Sequence, residues 1–196
     1  MSFLKSAAVA VAVLGAGITF GAIEAHAQLA PNPTEDGAHR SADIHWPSGF
    51  APEDADLYAH NQIFVAAPCA TVWRHIVEAP KWPAWYPNSQ NVRIQGGGEA
   101  LKADSRFRFD TFGVHIDARV GEYAAGHRIG WFGDGSTINA YHTWLLADVP
   151  GGCQVVTEEV AKGPGAIAIR QPDPAAMHKG HDLWLARLKA LSELQN

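Results

Sequence analysis

The sequence predicts an α+β domain in which an antiparallel sheet is covered on one face by a long C-terminal helix. Three observations carry that expectation. Asp173 to Leu194 reads as one amphipathic helix of about six turns, because Met177, Trp184, Leu185, Leu188 and Leu191, with His181 on the same line, recur every three or four residues. The stretch from about Gln90 to Lys162 reads almost entirely as strands, broken by glycine-rich turns at meander spacing. Ahead of it stand one further strand and a short amphipathic helix. A stripe as apolar as that of the last helix needs a surface to cover, and the sheet is the surface the chain supplies.

In chain order, Met1 to Ala27 stands apart from the fold. Lys5 gives a weakly positive start, Ala7 to Ile23 is an alanine- and valine-rich apolar run, and Ala25-His26-Ala27 has the small-x-small form of a signal-peptidase site. Cleavage after Ala27 and a periplasmic or secreted product are expected. Gln28 to Asp56 carries Pro31, Pro33, Pro47 and Pro52 among polar residues and reads as an extended leader. Its first part, to about Arg40, is expected to be disordered, while Ile44, Trp46 and Phe50 suggest that its second part packs on the domain spanning residues 57–196.

Leu57 to Ala66 is a strand rich in β-formers. Pro68 then opens a short helix whose stripe is Cys69, Val72, Trp73, Ile76 and Val77, and Pro80 ends it by removing a donor and blocking the preceding turn. Trp82-Pro83-Ala84-Trp85-Tyr86-Pro87 reads as a single-turn second helix. The strands that follow are Gln90 to Ile94, Ser105 to Phe112, Val114 to Tyr123, Arg128 to Phe132, Thr137 to Leu146 and Gln154 to Ala161. Alternation is clearest where Val114, Ile116, Ala118 and Val120 oppose His115, Asp117 and Arg119, so one face of the sheet is apolar and the other is expected to meet water. Asp173 is placed as the N-cap of the last helix, with Pro174 at its first position.

Composition narrows the function classes. The chain has 196 residues and a formal charge of −5, and its basic residues form no run, so nucleic acid is not an expected partner. Beyond the signal nothing is apolar enough to span a membrane. Gly96-Gly97-Gly98 follows a strand but opens no helix, the phosphate-binding and dinucleotide motifs are absent, and there is no Gly-x-Ser-x-Gly elbow. No cofactor is expected, and the sequence leaves the oligomeric state open.

Several segments together resemble the START-like, or SRPBCC, superfamily, in its bacterial polyketide cyclase/dehydrase-like branch. They are Phe64-Val65-Ala66-Ala67-Pro68 leading to Val72-Trp73, Trp82-Pro83-x-Trp85-Tyr86-Pro87, Arg128-x-x-Trp131, His142-x-Trp144, Gly151-Gly152-x-x-Val155-Val156-Thr157-Glu158-Glu159, and Trp184-Leu185-x-x-Leu188-Lys189. The resemblance covers about Leu57 to Leu194 and implies a helix-grip fold, a curved seven-stranded sheet gripping the C-terminal helix around a cavity for hydrophobic ligands. Phe107, Phe109, Ile116, Ala118, Val120, Trp131, Ala140, His142, Trp144, Met177, His181 and Trp184 are then the expected ligand-binding residues. Trp82, Trp85 and Tyr86 would form a lid over the mouth if buried, or an interaction patch if exposed. In the implied strand order Cys69 comes near Cys153; export would place both where a disulfide persists, and a bridge and two free thiols both remain open.

The polar residues of that interior are His142 and His181, one from the sheet and one from the helix crossing it. With a hairpin at Pro150-Gly151-Gly152, either Glu158 or Glu159 lies opposite His142, and a carboxylate holding an imidazole suits general acid–base work as well as a satisfied polar cluster. His178 and His181 stand at i, i+3 on the helix, but no acidic or cysteine ligand accompanies them at a recognised spacing, so no metal is expected. The leading expectation is a binding protein for a small hydrophobic or aromatic molecule. An enzyme of cyclase, dehydratase or hydrolase type using His142, His181 and Glu158 or Glu159 is the alternative, and an interaction module with a filled core is the third.

Overall fold

The computed structural model describes Asp36 and residues 40–194; the expected signal segment and most of the first part of the leader lie outside the described residues. Seven strands form one antiparallel sheet in the order β1-β7-β6-β5-β4-β3-β2. They are β1 Leu57–Val65, β2 Ser89–Ile94, β3 Arg106–Thr111, β4 Val114–Ala124, β5 Arg128–Asp134, β6 Asn139–Val149 and β7 Gly152–Lys162. Between β1 and β2 lie α1, Cys69–Val77, and a 3₁₀ helix, Ala79–Ala84; after β7 come α2, Pro164–Arg170, and α3, Ala176–Glu193. The sequence therefore specified every strand, the strands differing from expectation only at their ends, which is where helix and strand assignments ordinarily move.

Two local features depart from expectation. A short helix, α2, precedes the long one: Gly163, at a φ of +100°, reverses the chain, and Pro164 begins the helix where its missing N–H is harmless. The long helix starts at Ala176, not at Pro174. Asp173 folds a turn of its own instead, its side chain accepting from the Ala175 N–H and its carbonyl from the Ala176 N–H, which uses up the cap a helix would have taken.

The face of the sheet away from α3 does not simply meet water. Residues 40–50 of the leader lie on it, and Ile44 packs with Leu145 and Val156, so Tyr141 and Thr143, which point to this side, are buried. Trp46 stands edge-on to Tyr58 and Tyr141, and Phe50 edge-on to Phe132. Under this cover Glu158 is wholly buried, with His60 Nδ1 at 2.8 Å, Tyr58 Oη donating at 2.9 Å and the Ser41 backbone N–H donating at 3.1 Å. Of the leader's first part only Asp36 is described; it is buried, and its carboxylate lies 2.9 Å from His178 Nε2.

On the opposite face α1, the 3₁₀ helix and α3 close over the sheet. The sulfurs of Cys69 and Cys153 are bonded, with Cα atoms 4.9 Å apart and a sequence separation of 84. Cys69 begins α1 and Cys153 is the second residue of β7, paired with Val65, so the bond fixes α1 to the sheet where β1 ends opposite β7.

Candidate functional site

The interior between sheet and α3 is dominated by indole and phenyl rings. Trp82 is fully buried; its Nε1–H donates to the Ile76 carbonyl at 3.0 Å, and its ring meets Phe107, Phe109, Trp131 and Trp184 with centroids 5.1–6.0 Å apart. Tyr86 stacks flat on Trp184 at 4.3 Å. Trp82 and Tyr86 are thus not a surface patch; their burial is the condition set for a lid. Trp82 occupies much of the interior, Tyr86 lines the cavity that remains, and Trp85 is half-buried beside them.

A small cavity of about 50 Å³ survives next to this cluster. Its walls include Phe109, Ile116, Trp131, Ala140, His142, Met177, His181 and Trp184, all expected from the sequence. Phe107, Ala118, Val120 and Trp144, also expected there, are buried but do not line it, because Trp82 and the strand curvature put them behind the wall. Residues that sequence reasoning missed come from the ends of elements: Thr111, Phe112 and Val114 from the β3–β4 turn, and Ile169 from the unforeseen α2. Pro164 after Gly163 was the signal available for the last of these.

Phe112 is the nearest thing to a gate. It sits half-buried at the rim, its backbone N–H donating to Asn88 Oδ1, while Asn88 also donates to Tyr86 Oη and Tyr86 Oη to the Gly180 carbonyl of α3. A Cβ at Gly180 would fall 2.4 Å from the tip of the Phe112 ring. The ring tip can swing at little cost, so Gly180→Ala should lift Phe112 from the rim while changing stability by no more than about 1 kcal/mol. The check is stopped-flow exchange of an apolar dye: faster entry and exit are expected, and unchanged rates would show that Phe112 does not gate the cavity.

The polar part of the wall is built by cross-strand register. His142 of β6 faces Glu159 of β7, and because successive side chains point to opposite faces, Glu159 enters the interior while Glu158 goes to the leader side. Glu158 is therefore removed from the candidate site. Glu159 Oε2 lies 3.5 Å from His142 Nδ1 and 3.1 Å from His181 Nε2, and the two imidazoles stack with centroids 4.9 Å apart. His178, weighed in the sequence as a companion of His181, turns away to Asp36. An acidic neighbour does accompany the histidine pair after all, but from β7, where no sequence spacing reveals it.

Both rings are oriented from behind. Thr157 Oγ1 lies 3.2 Å from the Thr143 carbonyl and 2.7 Å from His142 Nε2; with its proton directed at the carbonyl it accepts from His142 Nε2–H. Asn61 donates through Nδ2 to Asp182 Oδ1 and the His178 carbonyl, so its Oδ1 accepts from His181 Nδ1–H at 3.2 Å. Trp184 Nε1 is a buried donor with no partner among the described residues.

Burial pushes the His142 imidazole down to about 3, the Glu159 carboxylate opposing and His181 reinforcing that shift. Burial also works to raise the Glu159 carboxyl, but His142 and the hydrogen-bonded His181 outweigh it and hold the group below its ordinary value. The unfolded chain protonates His142 near 6.5 whereas the folded protein resists until about 3, so over that window the unfolded state binds more protons. Stability should fall as pH drops from about 6.5 toward 3, by up to about 1.4 kcal/mol per pH unit from this ring. Glu159 adds to the loss at the acid end, since a depressed carboxyl contributes stability above its unfolded value that disappears as pH falls through the folded one. Denaturant midpoints measured across pH should decline less steeply for His142→Gln; an equal slope would refute the assignment.

A curled antiparallel sheet closed by a C-terminal helix over an aromatic interior defines a START-like protein of the helix-grip type. The chain belongs to the polyketide cyclase/dehydrase and lipid transport family, whose sequence pattern matches residues 59–193. No curated protein matches it. Among solved structures, a hypothetical protein of Helicobacter pylori, jhp0584, is 29% identical with a TM-score of 0.73 over 78% of this chain and 98% of its own. A START superfamily protein from Mycobacterium smegmatis shares the fold at 14% identity and a TM-score of 0.56, over 71% of this chain and 99% of its own. The di-domain ARO/CYC StfQ from the steffimycin biosynthetic pathway does so at 17% identity and 0.58, over 71% of this chain and 52% of its own.

Proposed function

We propose that the protein is an exported binding protein for a compact, mainly apolar molecule carrying one polar group. The observation that carries this reading is the cavity itself: aromatic and aliphatic walls with His142, Glu159, His181 and the unpartnered Trp184 N–H gathered on one side. Its volume of about 50 Å³ is roughly a third of the ~150 Å³ of an apolar cavity that accepts benzene. A long-chain lipid or polycyclic polyketide therefore requires the aromatic cluster to rearrange extensively, and a single-ring ligand requires a smaller displacement of the wall. The family's association with lipids and polyketides supports an apolar ligand, and the filled interior favours a small one.

Export rests on the apolar N-terminal run with its small-x-small site and on the Cys69–Cys153 bond, of a kind that persists in oxidising compartments. The test of export is the N-terminal sequence of the protein recovered outside the cytoplasm, expected to begin at Gln28; recovery with Met1 attached to a membrane counts against it. Among the described residues no helix is long and apolar enough to cross a membrane.

The test of binding is native mass spectrometry of the protein purified from its own compartment, followed by tryptophan-fluorescence titration with phenol, 2-naphthol and palmitate. Saturable binding of the ring compounds in preference to palmitate is expected. Binding of none of them, with an empty native spectrum, would leave the filled-core interaction module standing. The acid–base enzyme reading has one observation in its favour, a buried His142 whose Nδ1 lies 3.5 Å from Glu159; loss of turnover of an identified ligand in His142→Gln, with binding intact, would establish it.

A further inference from the structure

We propose that His142, Glu159 and His181 form a three-ligand site for a divalent first-row transition-metal ion. This assignment goes beyond the binding function above and does not depend on it.

The argument is one of lone pairs. With the His142 ring proton on Nε2, toward Thr157, Nδ1 carries a lone pair, and the bond from His181 Nδ1–H to Asn61 leaves Nε2 either to share a proton with Glu159 or to bind an ion in its place. Those two nitrogens and Glu159 Oε2 converge on one point, with all three atoms within 4.8 Å of one another. Two imidazole lone pairs and a carboxylate oxygen repel unless a cation lies between them, either a proton or a metal ion.

The dimensions suit the metal. Ligand atoms at 2.0–2.1 Å from a tetrahedral ion stand about 3.3 Å apart, and the two separations to Glu159 are 3.5 and 3.1 Å. The remaining nitrogen pair lies within 4.8 Å, so a tetrahedral ion would draw it together by up to about 1.5 Å. Both histidines also have what metal-bound histidines ordinarily have, a partner on the far nitrogen that fixes tautomer and ring orientation. Thr157 and Asn61 are themselves fully buried and held by backbone or carboxylate acceptors, so both rings are oriented before any ion enters.

Two nitrogens and one oxygen are the donor set of zinc or ferrous iron rather than of calcium or magnesium, which take oxygen almost alone. The three ligands cover one side only. The other side faces the cavity, whose volume of about 50 Å³ admits a water or the polar end of a small ligand as further ligand.

The mature chain, stripped with chelator and dialysed, is titrated calorimetrically with Zn²⁺ alone and spectroscopically with Co²⁺ alone. One ion per chain in the micromolar range or tighter is expected, with a rise in Tm and with visible cobalt bands of a four- or five-coordinate ion. Glu159→Gln and His181→Gln should each weaken binding by at least 100-fold, and Asn61→Ser by about 10- to 100-fold through loss of ring orientation. Should a variant fail to fold, the Co²⁺-loaded wild-type protein decides: its proton spectrum should contain two slowly exchanging, paramagnetically shifted ring N–H signals, from His142 Nε2 and His181 Nδ1. The proposal is overturned by failure of the wild type to take up Zn²⁺ at millimolar concentration, by undiminished affinity in folded Glu159→Gln, or by the absence of those two signals. Ring-compound uptake is measured on the chelator-treated protein, so failure of the metal site and failure of the binding function are separate results.

Discussion

Replacing Trp82 with alanine should unfold the protein at a much lower temperature and open its interior. The side chain is fully buried, touches four other aromatic rings and spends its only donor on the Ile76 carbonyl. Truncating such a residue costs about 3–5 kcal/mol, which for a domain of this size lowers Tm by on the order of 10 °C. The void would adjoin Trp131, Trp184 and Phe109, which already line the cavity. Apolar voids of that kind stay dry and accept small hydrocarbons. Calorimetry with and without benzene is the check. A large loss of stability partly restored by benzene is expected, and a destabilised variant indifferent to benzene would mean that the surrounding rings collapse into the gap.

The second large effect belongs to the disulfide. Opening a loop of 84 residues returns chain entropy to the unfolded state, and losing a native bridge of this kind costs about 2–5 kcal/mol. The Cys69→Ala/Cys153→Ala double variant should therefore show a lower denaturant midpoint with a slope changed little, and the oxidised wild-type protein should contain no free thiol. Two titratable thiols in protein prepared without reductant would sink both statements.

How legible all this was in the sequence depended on what kind of contact fixed each feature. Strands announced themselves because Val114, Ile116, Ala118 and Val120 alternate with charged residues, and periodicity is a local property. The buried face of α3 was equally plain in Met177, Trp184, Leu185 and Leu188. The second buried face of the sheet was not: Tyr141 and Thr143 look like surface positions until residues 40–50 are laid over them, and only Ile44, Trp46 and Phe50 hinted at the cover. The pairing of His142 with Glu159 rather than Glu158 turned on register, a one-residue choice that sends every side chain of a strand to one face or the other. Placing β6 against β7 left both glutamates open; the observed ladder, with His142 opposite Glu159, settles the choice.

The occupied interior was the feature furthest from reach. Aromatics between prolines at Trp82 to Pro87 read as a lid or as a patch, since nothing local says how far a side chain travels into a cavity. Its depth is set by the 3₁₀ turn Ala79–Ala84, which carries Trp82 inward beneath α1. Likewise Phe112 joined the cavity through a turn residue at a φ of +49°, a backbone state that residue type does not advertise.

The Cys69–Cys153 bond also has a mechanical meaning. A pull on the two ends of the chain meets β1 and β7 as neighbours, one leading into the bond and the other leading out of it. Tension would strip residues 40–56 and α3, then part β1 from β7, and stop at the sulfurs. The segment between them, which contains α1 and strands β2 through β6, would bear no load and release no length until the bond was reduced. Stretching thus divides the molecule into a shell that yields and a loop that is shielded, and the aromatic plug Trp82 lies in the shielded part while His181 and Trp184 leave with α3.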